Sequence, residues 1–255
     1  EKMAEAISQV AISGIEITLS FEEELMGTAG GLALARDRGF LGDENSVLVV
    51  NGDGALDLNL QNFAERHIAR GDFVTLALLP HLNPQRWSRV VLDGNGTVTE
   101  IYPPGRPGPL EVPCLYPGVM AIHRKALDAL PATPGEIPHA LWNPAQKAGK
   151  LGGLVVAGHW REVGTPSDYL EVMLFRLAGT AWMHPSAMIS VCASIRNSFV
   201  GRSAVVSDRA VIEESVVAEG VRIGPGALVT RSVLLGPVEV SANEKVIGEF
   251  RATRR

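Results

Sequence analysis

From Val200 onward the chain places an aliphatic residue at almost every sixth position: Val200, Val206, Ile212, then after one five-residue step Val217, Ile223, Val229 and Leu235. Small or polar residues follow most of them, as in "VGRSAV", "VSDRAV" and "IGPGAL". No other pattern in the sequence restricts the fold as much. A meander of unrelated strands has turns at irregular spacing, whereas a period of six with small residues between the repeats marks a hexapeptide-repeat parallel β-helix. Hexads close into triangular coils, so the stretch from His184 to about Val240 predicts roughly three coils. Cys192 falls inside the repeat and is expected to fill a coil interior. The end coils of such a prism leave strand backbone and aliphatic rungs uncovered, so a homo-oligomer formed through the β-helix is expected.

Ahead of residue 180 the segments differ from one another. "GIEITLSFEEE" alternates Ile15, Ile17, Leu19 and Phe21 with polar residues and predicts a half-buried strand. A glycine-rich stretch and a helix around Leu32–Arg38 follow. "SVLVVNGD" is a continuous apolar run, which suits a central parallel strand buried on both faces. "LNLQNFAERHIARG" reads as an amphipathic helix closed by Gly71, and "FVTLALLP" as another buried strand. This alternation argues for a doubly wound, Rossmann-like α/β layer. Farther on, "RVVLDGNGTVTEIY" predicts a hairpin turning at Asp93–Gly96. "YPGVMAIHRKALDALP" predicts a strand and a short helix. "LGGLVVAGHWREVGTPSDYLEVMLFRL" predicts a strand pair, a turn, and a helix with Pro166 in its first turn and Thr165 as cap. The expected domains are residues 1–179 and 180–255.

Composition narrows the function classes. The 255 residues carry a net charge of −5, which disfavours a general nucleic-acid or anionic-membrane surface. No apolar run approaches the roughly 20 residues needed to span a bilayer. Two cysteines, Cys114 and Cys192, make no disulfide framework, which favours a reducing, cytoplasmic compartment. The opening run "EKMAEAISQV" reads as the middle of an amphipathic helix without an N-cap, so an N-terminal segment is expected to be missing. His67 and His123 are expected as surface or packing residues, and Trp87, Trp142 and Trp182 as packing groups.

Three places carry candidate chemistry. "ELMGTAGGLALAR" puts three glycines in five residues ahead of a helix-forming run. That costs backbone entropy unless something approaches the backbone closely, and a helix N-terminus behind it suits an anion or a polar ring edge. The alternative is a plain strand-to-helix turn. Asp53 follows a predicted buried strand, where open α/β sheets bind ligands. A carboxylate there suits Mg²⁺, although a turn Asp bonding its own backbone is the simpler alternative. Glu162, in "HWREVGTP", also ends a strand ahead of a glycine turn. The two acids are far apart in sequence and are candidates to meet at one metal.

In this order, "ELMGTAGGLALA", "VLVVNGD", "YPGVMAIHRKAL", "HWREVGTPSDYLE" and the trailing six-residue repeat resemble the sugar-nucleotide pyrophosphorylases, in the branch of the mannose-1-phosphate guanylyltransferases. The resemblance covers nearly the whole chain. It implies a nucleotidyltransferase sheet, incomplete at its N-terminus, followed by a short left-handed parallel β-helix. It implies transfer of a nucleotidyl group from a nucleoside triphosphate to a sugar 1-phosphate with release of pyrophosphate, using Mg²⁺. It also implies that Gly27, Thr28, Ala29 and Gly30 lie against the nucleotide, that Asp53 is the catalytic metal-binding aspartate, and that Gly118 packs the sugar. Glu162 stands where the family has a second metal-binding Asp, one methylene shorter.

The departures bear on activity. The family opens with a Gly-x-Gly-x-Arg-Leu loop and a Pro-Lys pair that hold the triphosphate, and neither occurs in this sequence. Tyr102, Pro103 and Pro104 stand where the family has Glu-Lys-Pro, with Arg106 as a potential substitute. The chain alone is therefore expected to be inactive. The alternative is a non-catalytic sugar-nucleotide-binding or regulatory subunit. An acyltransferase of the hexapeptide class is disfavoured, because His184 is the one histidine near the repeat and lies at its start.

Overall fold

The computed structural model describes Ala4, Ile7 and residues 14–80, 86–106 and 114–253. The expected N-terminal helix, the far end of the "PPGRPGP" loop and the last two residues of the tail lie outside them. Two structural units can be separated: one of Glu1–Gly52 and Asp57–His159, the other of Asp53–Leu56 and Trp160–Arg255.

In chain order the elements up to Glu162 are α1 (Gly27–Asp37), β1 (Ser46–Val50), β2 (Gly54–Leu58), α2 (Leu60–Arg70), β3 (Val74–Pro80), β4 (Arg89–Leu92), β5 (Val98–Tyr102), β6 (Cys114–Leu115), β7 (Val119–His123), α3 (Arg124–Asp128), α4 (Asn143–Lys147), β8 (Leu151–Val155) and β9 (Gly158–Glu162). A single π-helical turn, Pro138–Trp142, precedes α4. The main sheet runs β1-β7-β3-β6-β4-β5, with β8 also paired to β3. Strand β7 is antiparallel to both β1 and β3, so β1 and β3 run parallel with β7 between them. Strand β8 is parallel to β3, so the sheet is mixed rather than uniformly parallel.

β3 is the hub. It is buried at every position but its last, because it has neighbours on both sides and core on both faces. The equally apolar run of β1 was expected to be central and is instead an edge strand. With one strand partner among the described residues, its Leu48 and Val50 remain 38% and 42% exposed. The strand expected over Ile15–Phe21 does not form. Among the described residues, Ile15–Phe21 join no strand ladder, although Arg38 donates to the Phe21 carbonyl at 2.6 Å, and Ile15 and Phe21 are 60% and 59% exposed. Side-chain alternation marks a strand only when a sheet edge is there to receive it.

Helix α2 forms as its sequence predicts. Asn59 accepts the Asn62 N–H at 2.9 Å, and Gly71 closes the helix at φ 64°. Its buried face carries Phe63 and His67. The His67 ring is bound to Thr75 Oγ1 at 2.7 Å and Ser46 Oγ at 3.2 Å, which ties α2 to β3 and β1. The β4–β5 hairpin is also as expected, with Asp93 accepting the Asn95 and Thr97 N–H groups at 2.9 and 2.8 Å. Strands β8 and β9 do not pair with each other: β8 joins β3, while β9 forms a two-stranded ribbon with β2.

The second unit contains α5 (Pro166–Leu177) and thirteen short strands, β10 (Trp182–Met183) through β22 (Phe250–Ala252). These stack in three parallel sheets of five, four and four strands. That makes about four coils rather than roughly three. Equivalent residues recur every 17 positions, as in Trp182, Phe199, Val216, Val233 and Phe250. The buried rungs are Val200, Val206 and Ile212, then Val217, Ile223 and Val229, then Leu234, Val240 and Val246. The five-residue step thus recurs in every coil, and Leu234 rather than Leu235 points inward.

The short side has a physical cause. At its corner Asn197, Glu214, Arg231 and Gly248 adopt left-handed φ values of 41°, 46°, 45° and 66°, which turn the chain within fewer residues. After the first three of these come the fully buried Ser198, Ser215 and Ser232. Each hydroxyl donates to a carbonyl two residues back and accepts an N–H from the next coil at 3.0 to 3.1 Å. Cys192 was expected inside but is exposed; the neighbouring interior positions are taken by Ile189, Ala193 and Ile195. Helix α5 has Thr165 as its cap and Pro166 as its first residue, as expected. It lays Leu170, with Tyr169, Met173 and Leu174, against Val216 and Val233 of the coil face.

Candidate functional site

Gly27, Thr28, Ala29 and Gly30 are not in a loop ahead of a helix; they form the first turn of α1. Their glycines answer to packing. A Cβ on Gly27, at φ 64°, would sit 2.7 Å from the Gly135 carbonyl oxygen, and one on Gly30 would sit 2.6 Å from that of Thr133. The Ala29 N–H donates to the Gly135 carbonyl at 3.0 Å, and the Gly135 N–H donates to that of Met26 at 2.9 Å. Ala29 and Gly30 are buried, and Thr28 is the exposed member. The Glu22 carboxylate accepts the Met26 N–H at 2.8 Å. It complements the positive end of α1, where an anionic ligand would otherwise gain. The acidic run just ahead of the glycines is the sequence signal for this contact.

Gly118 lies between β6 and β7 at φ 83°. The Asn51 N–H donates to the Gly118 carbonyl at 2.8 Å, and any Cβ on Gly118 would meet the Asn51 side chain at 2.7 Å. Glycine there lets the end of β1 close onto the chain leading into β7. Nearby, burial pushes the Tyr116 phenol well above its ordinary range, so it stays protonated. His67, buried beneath α2, is held below its ordinary value chiefly by desolvation.

Asp53 and Glu162 belong to the second unit, and the β2–β9 ribbon brings their backbones together. The Val163 N–H donates to the Asp53 carbonyl at 2.8 Å. Gly54 has no room for a side chain, because the Trp160 indole nitrogen lies 2.7 Å from where its Cβ would be. Asp53 is exposed and Glu162 half-buried. A Cβ on Gly164 would lie 3.7 Å from both the Glu162 carboxyl carbon and an Asp168 carboxylate oxygen. The Thr165 hydroxyl donates to the Asp168 carboxylate at 2.8 Å and accepts the Asp168 N–H at 3.1 Å, capping the start of α5. Among the described residues no group of three or more His, Cys, Asp and Glu is arranged to hold a metal. A two-carboxylate set does not suit a four-ligand structural zinc. It does suit Mg²⁺, which takes one or two carboxylates and completes its shell with water or phosphate oxygens.

The chain has clear relatives. The nucleotidyl transferase family matches residues 1–179, and the GlmU-like C-terminal hexapeptide family matches residues 181–253. A probable mannose-1-phosphate guanylyltransferase 2 of Arabidopsis thaliana is 28% identical over 227 residues, covering 84% of this chain and 60% of the relative. A probable mannose-1-phosphate guanylyltransferase 3 of Oryza sativa subsp. japonica is 27% identical over 245 residues, covering 87% and 66%. The chain thus spans less than two thirds of the length of these curated relatives. Among solved structures, HddC from Yersinia pseudotuberculosis superposes with a TM-score of 0.55 at 18% identity over 67% of this chain and 71% of that one, a likeness of fold. The sheet, the β-helix that follows it and the match over residues 1–179 agree: the chain belongs to the nucleotidyl transferase family.

Proposed function

We propose that the chain is part of a sugar-1-phosphate nucleotidyltransferase of the mannose-1-phosphate guanylyltransferase kind. In this reaction a phosphate oxygen of the sugar 1-phosphate attacks the α-phosphorus of a nucleoside triphosphate. One P–O bond forms, the bond to the β-phosphate oxygen breaks, and pyrophosphate leaves with the electron pair. The observation that carries the reading is the backbone bond from the Val163 N–H to the Asp53 carbonyl, which brings the chain beside Glu162 next to Asp53 at the end of the β2–β9 ribbon. Together they would hold Mg²⁺, which when bound neutralises and orients phosphate oxygens. Of the residues expected at the nucleotide, Gly27, Ala29 and Gly30 shape the backbone and Thr28 offers an exposed side chain. Gly118 keeps the backbone low where a sugar would pack. Family resemblance supports guanine and mannose over other pairs. The reading includes a cytoplasmic location, a homo-oligomer joined through the β-helix, and a division near residue 179.

A second reading, a non-catalytic nucleotide-sugar-binding subunit, is favoured by the Glu22 carboxylate at the start of α1. Pyrophosphate release with a panel of nucleoside triphosphates and sugar 1-phosphates separates the two. The chain alone is expected to show no turnover, since several stabilisers worth ~10²–10³ each are not in its sequence. In the parent protein, turnover that Asp53→Asn abolishes and Glu162→Asp retains supports the first reading. Nucleotide-sugar binding without turnover supports the second.

A further inference from the structure

The last coil of the β-helix breaks the repeat inside the prism. It consists of β20 (Glu239–Val240), β21 (Lys245–Ile247) and β22. Val240 and Val246 continue their buried aliphatic columns. Three other interior columns change at this level. Ala193, Ala210 and Ala227 are followed, at the same spacing, by Glu244. Ser198, Ser215 and Ser232 are followed by Glu249. Met183, Val200, Val217 and Leu234 are followed by Arg251. One coil up, Ala227, Ser232 and Leu234 are all fully buried.

The three charged residues bond one another. The Arg251 guanidinium donates to Glu244 at 2.7 Å and to Glu249 at 2.9 Å. Glu244 also accepts the Ser241 N–H at 2.7 Å. It lies in the corner between β20 and β21, opposite the side of the triangle that β22 forms. The guanidinium therefore reaches across the end of the prism to its far corner. A coil stacked beneath would take one guanidinium and two carboxylates out of water, which is costly even for paired charges. Inward-pointing charge is one of the devices by which natural sheets block pairing at an edge. Exposed Glu239 and Lys245 add charge on the outer side of the same edge.

We propose that the Glu244–Arg251–Glu249 cluster is an end stop, which closes the prism interior at the last coil and prevents a second copy of the chain from stacking on that end. Without it, the edge would present the same aliphatic, alanine and serine columns that each coil above offers to its neighbour. Head-to-tail stacking on such an edge does not close on itself and grows into a filament. The homo-oligomer proposed above then joins through another part of the β-helix.

Glu244→Ala, Glu249→Ser and Arg251→Leu together restore the residues of the coil above and test this. Sedimentation equilibrium is expected to show at least a doubling of mass relative to the parent chain at high concentration. Amide exchange locates the contact. The N–H groups of Arg222, Leu228 and Val233 donate to the coil below at 2.9 Å. Their equivalents Glu239, Lys245 and Phe250 have no coil below them among the described residues. In the parent these three amides are expected to exchange fast at low and high concentration alike, and in the triple variant to become protected as the mass rises. A folded triple variant with the parent's mass, or a rise in mass without protection of these amides, would overturn the proposal. So would protection of the same amides that grows with concentration in the parent, a measurement that stands even where the variant fails to fold.

Discussion

The β-helix and the mixed sheet bury aliphatic side chains in opposite ways. In the β-helix an interior residue of the middle coils has its equivalent 17 positions before and after it, so Ile212 stacks between Ile195 and Val229 and these coils solve the same packing problem. In the sheet no two strands share an environment: β3 has neighbours on both sides, while β1 has one. The first arrangement is a sum of near-identical nearest-neighbour terms. The second concentrates its contacts in one strand, so its stability is unevenly distributed.

That contrast sets the expected sizes of lesions. The largest belongs to Leu76→Ala. Leu76 is fully buried in β3, opposite Met120 of β7 and Gly153 of β8. A loss of about 3–5 kcal/mol is expected in urea unfolding. Ile212→Ala, equally buried, is expected to cost about 2–4 kcal/mol, with faster amide exchange confined to the adjoining coils. A coil lesion costing more than the β3 lesion would break the comparison.

The serine ladder comes next. Ser215→Ala deletes a buried hydroxyl that donates to the Glu213 carbonyl at 2.6 Å and accepts the Ser232 N–H at 3.1 Å. It is expected to cost about 1–3 kcal/mol and to speed exchange of the Ser232 amide. An unchanged amide would mean that the ladder is incidental to the short corner.

A smaller effect distinguishes the sheet by pH. His67 faces Asp72, Arg70 and His123, and burial outweighs the Asp72 attraction, so its folded pKa lies below 6.5. The unfolded chain therefore binds more protons in this range. The histidine's contribution is present above pH 6.5 and is lost as pH falls through that value toward the lower folded pKa. Melting of the first unit should weaken on acidification through this window, and His67→Gln should flatten the slope. A slope that survives His67→Gln would assign it to other groups. Least of all, Arg231→Ala removes exposed bridges to Glu214 and Glu171 at 2.7 Å. At most ~1 kcal/mol is expected, vanishing at high salt.

The same contrast explains what the sequence disclosed. A repeating environment writes a repeating sequence, so the β-helix was legible down to its rungs. The regularity of the short side was missed, because Leu234 and Leu235 are both aliphatic and only one faces inward, and so were the fourth coil and the exposed place of Cys192. In the sheet each strand's surroundings come from chain remote in sequence. β1 and β3 are equally apolar, yet one is an edge and the other a hub, and nothing local distinguishes them. The alternation of Ile15–Phe21 promised a strand that no partner receives. At the candidate site, both strand-end carboxylates were visible as residue types. The approach of their backbones through the β2–β9 ribbon was not, because β9 reads locally as a partner of β8. The glycines of α1 were visible too, but their packing against Thr133–Glu136 was hidden in a segment with no motif of its own.

The central claim is that Asp53 and Glu162 act as one oxygen site for a divalent cation. Mn²⁺, standing in for Mg²⁺, tests it through paramagnetic broadening of backbone amides. The account predicts broadening of the Val163 and Gly164 amides, beside Glu162, and its loss in Asp53→Asn although that substitution lies on the other strand. Broadening at Val163 and Gly164 that persists unchanged in Asp53→Asn would contradict it.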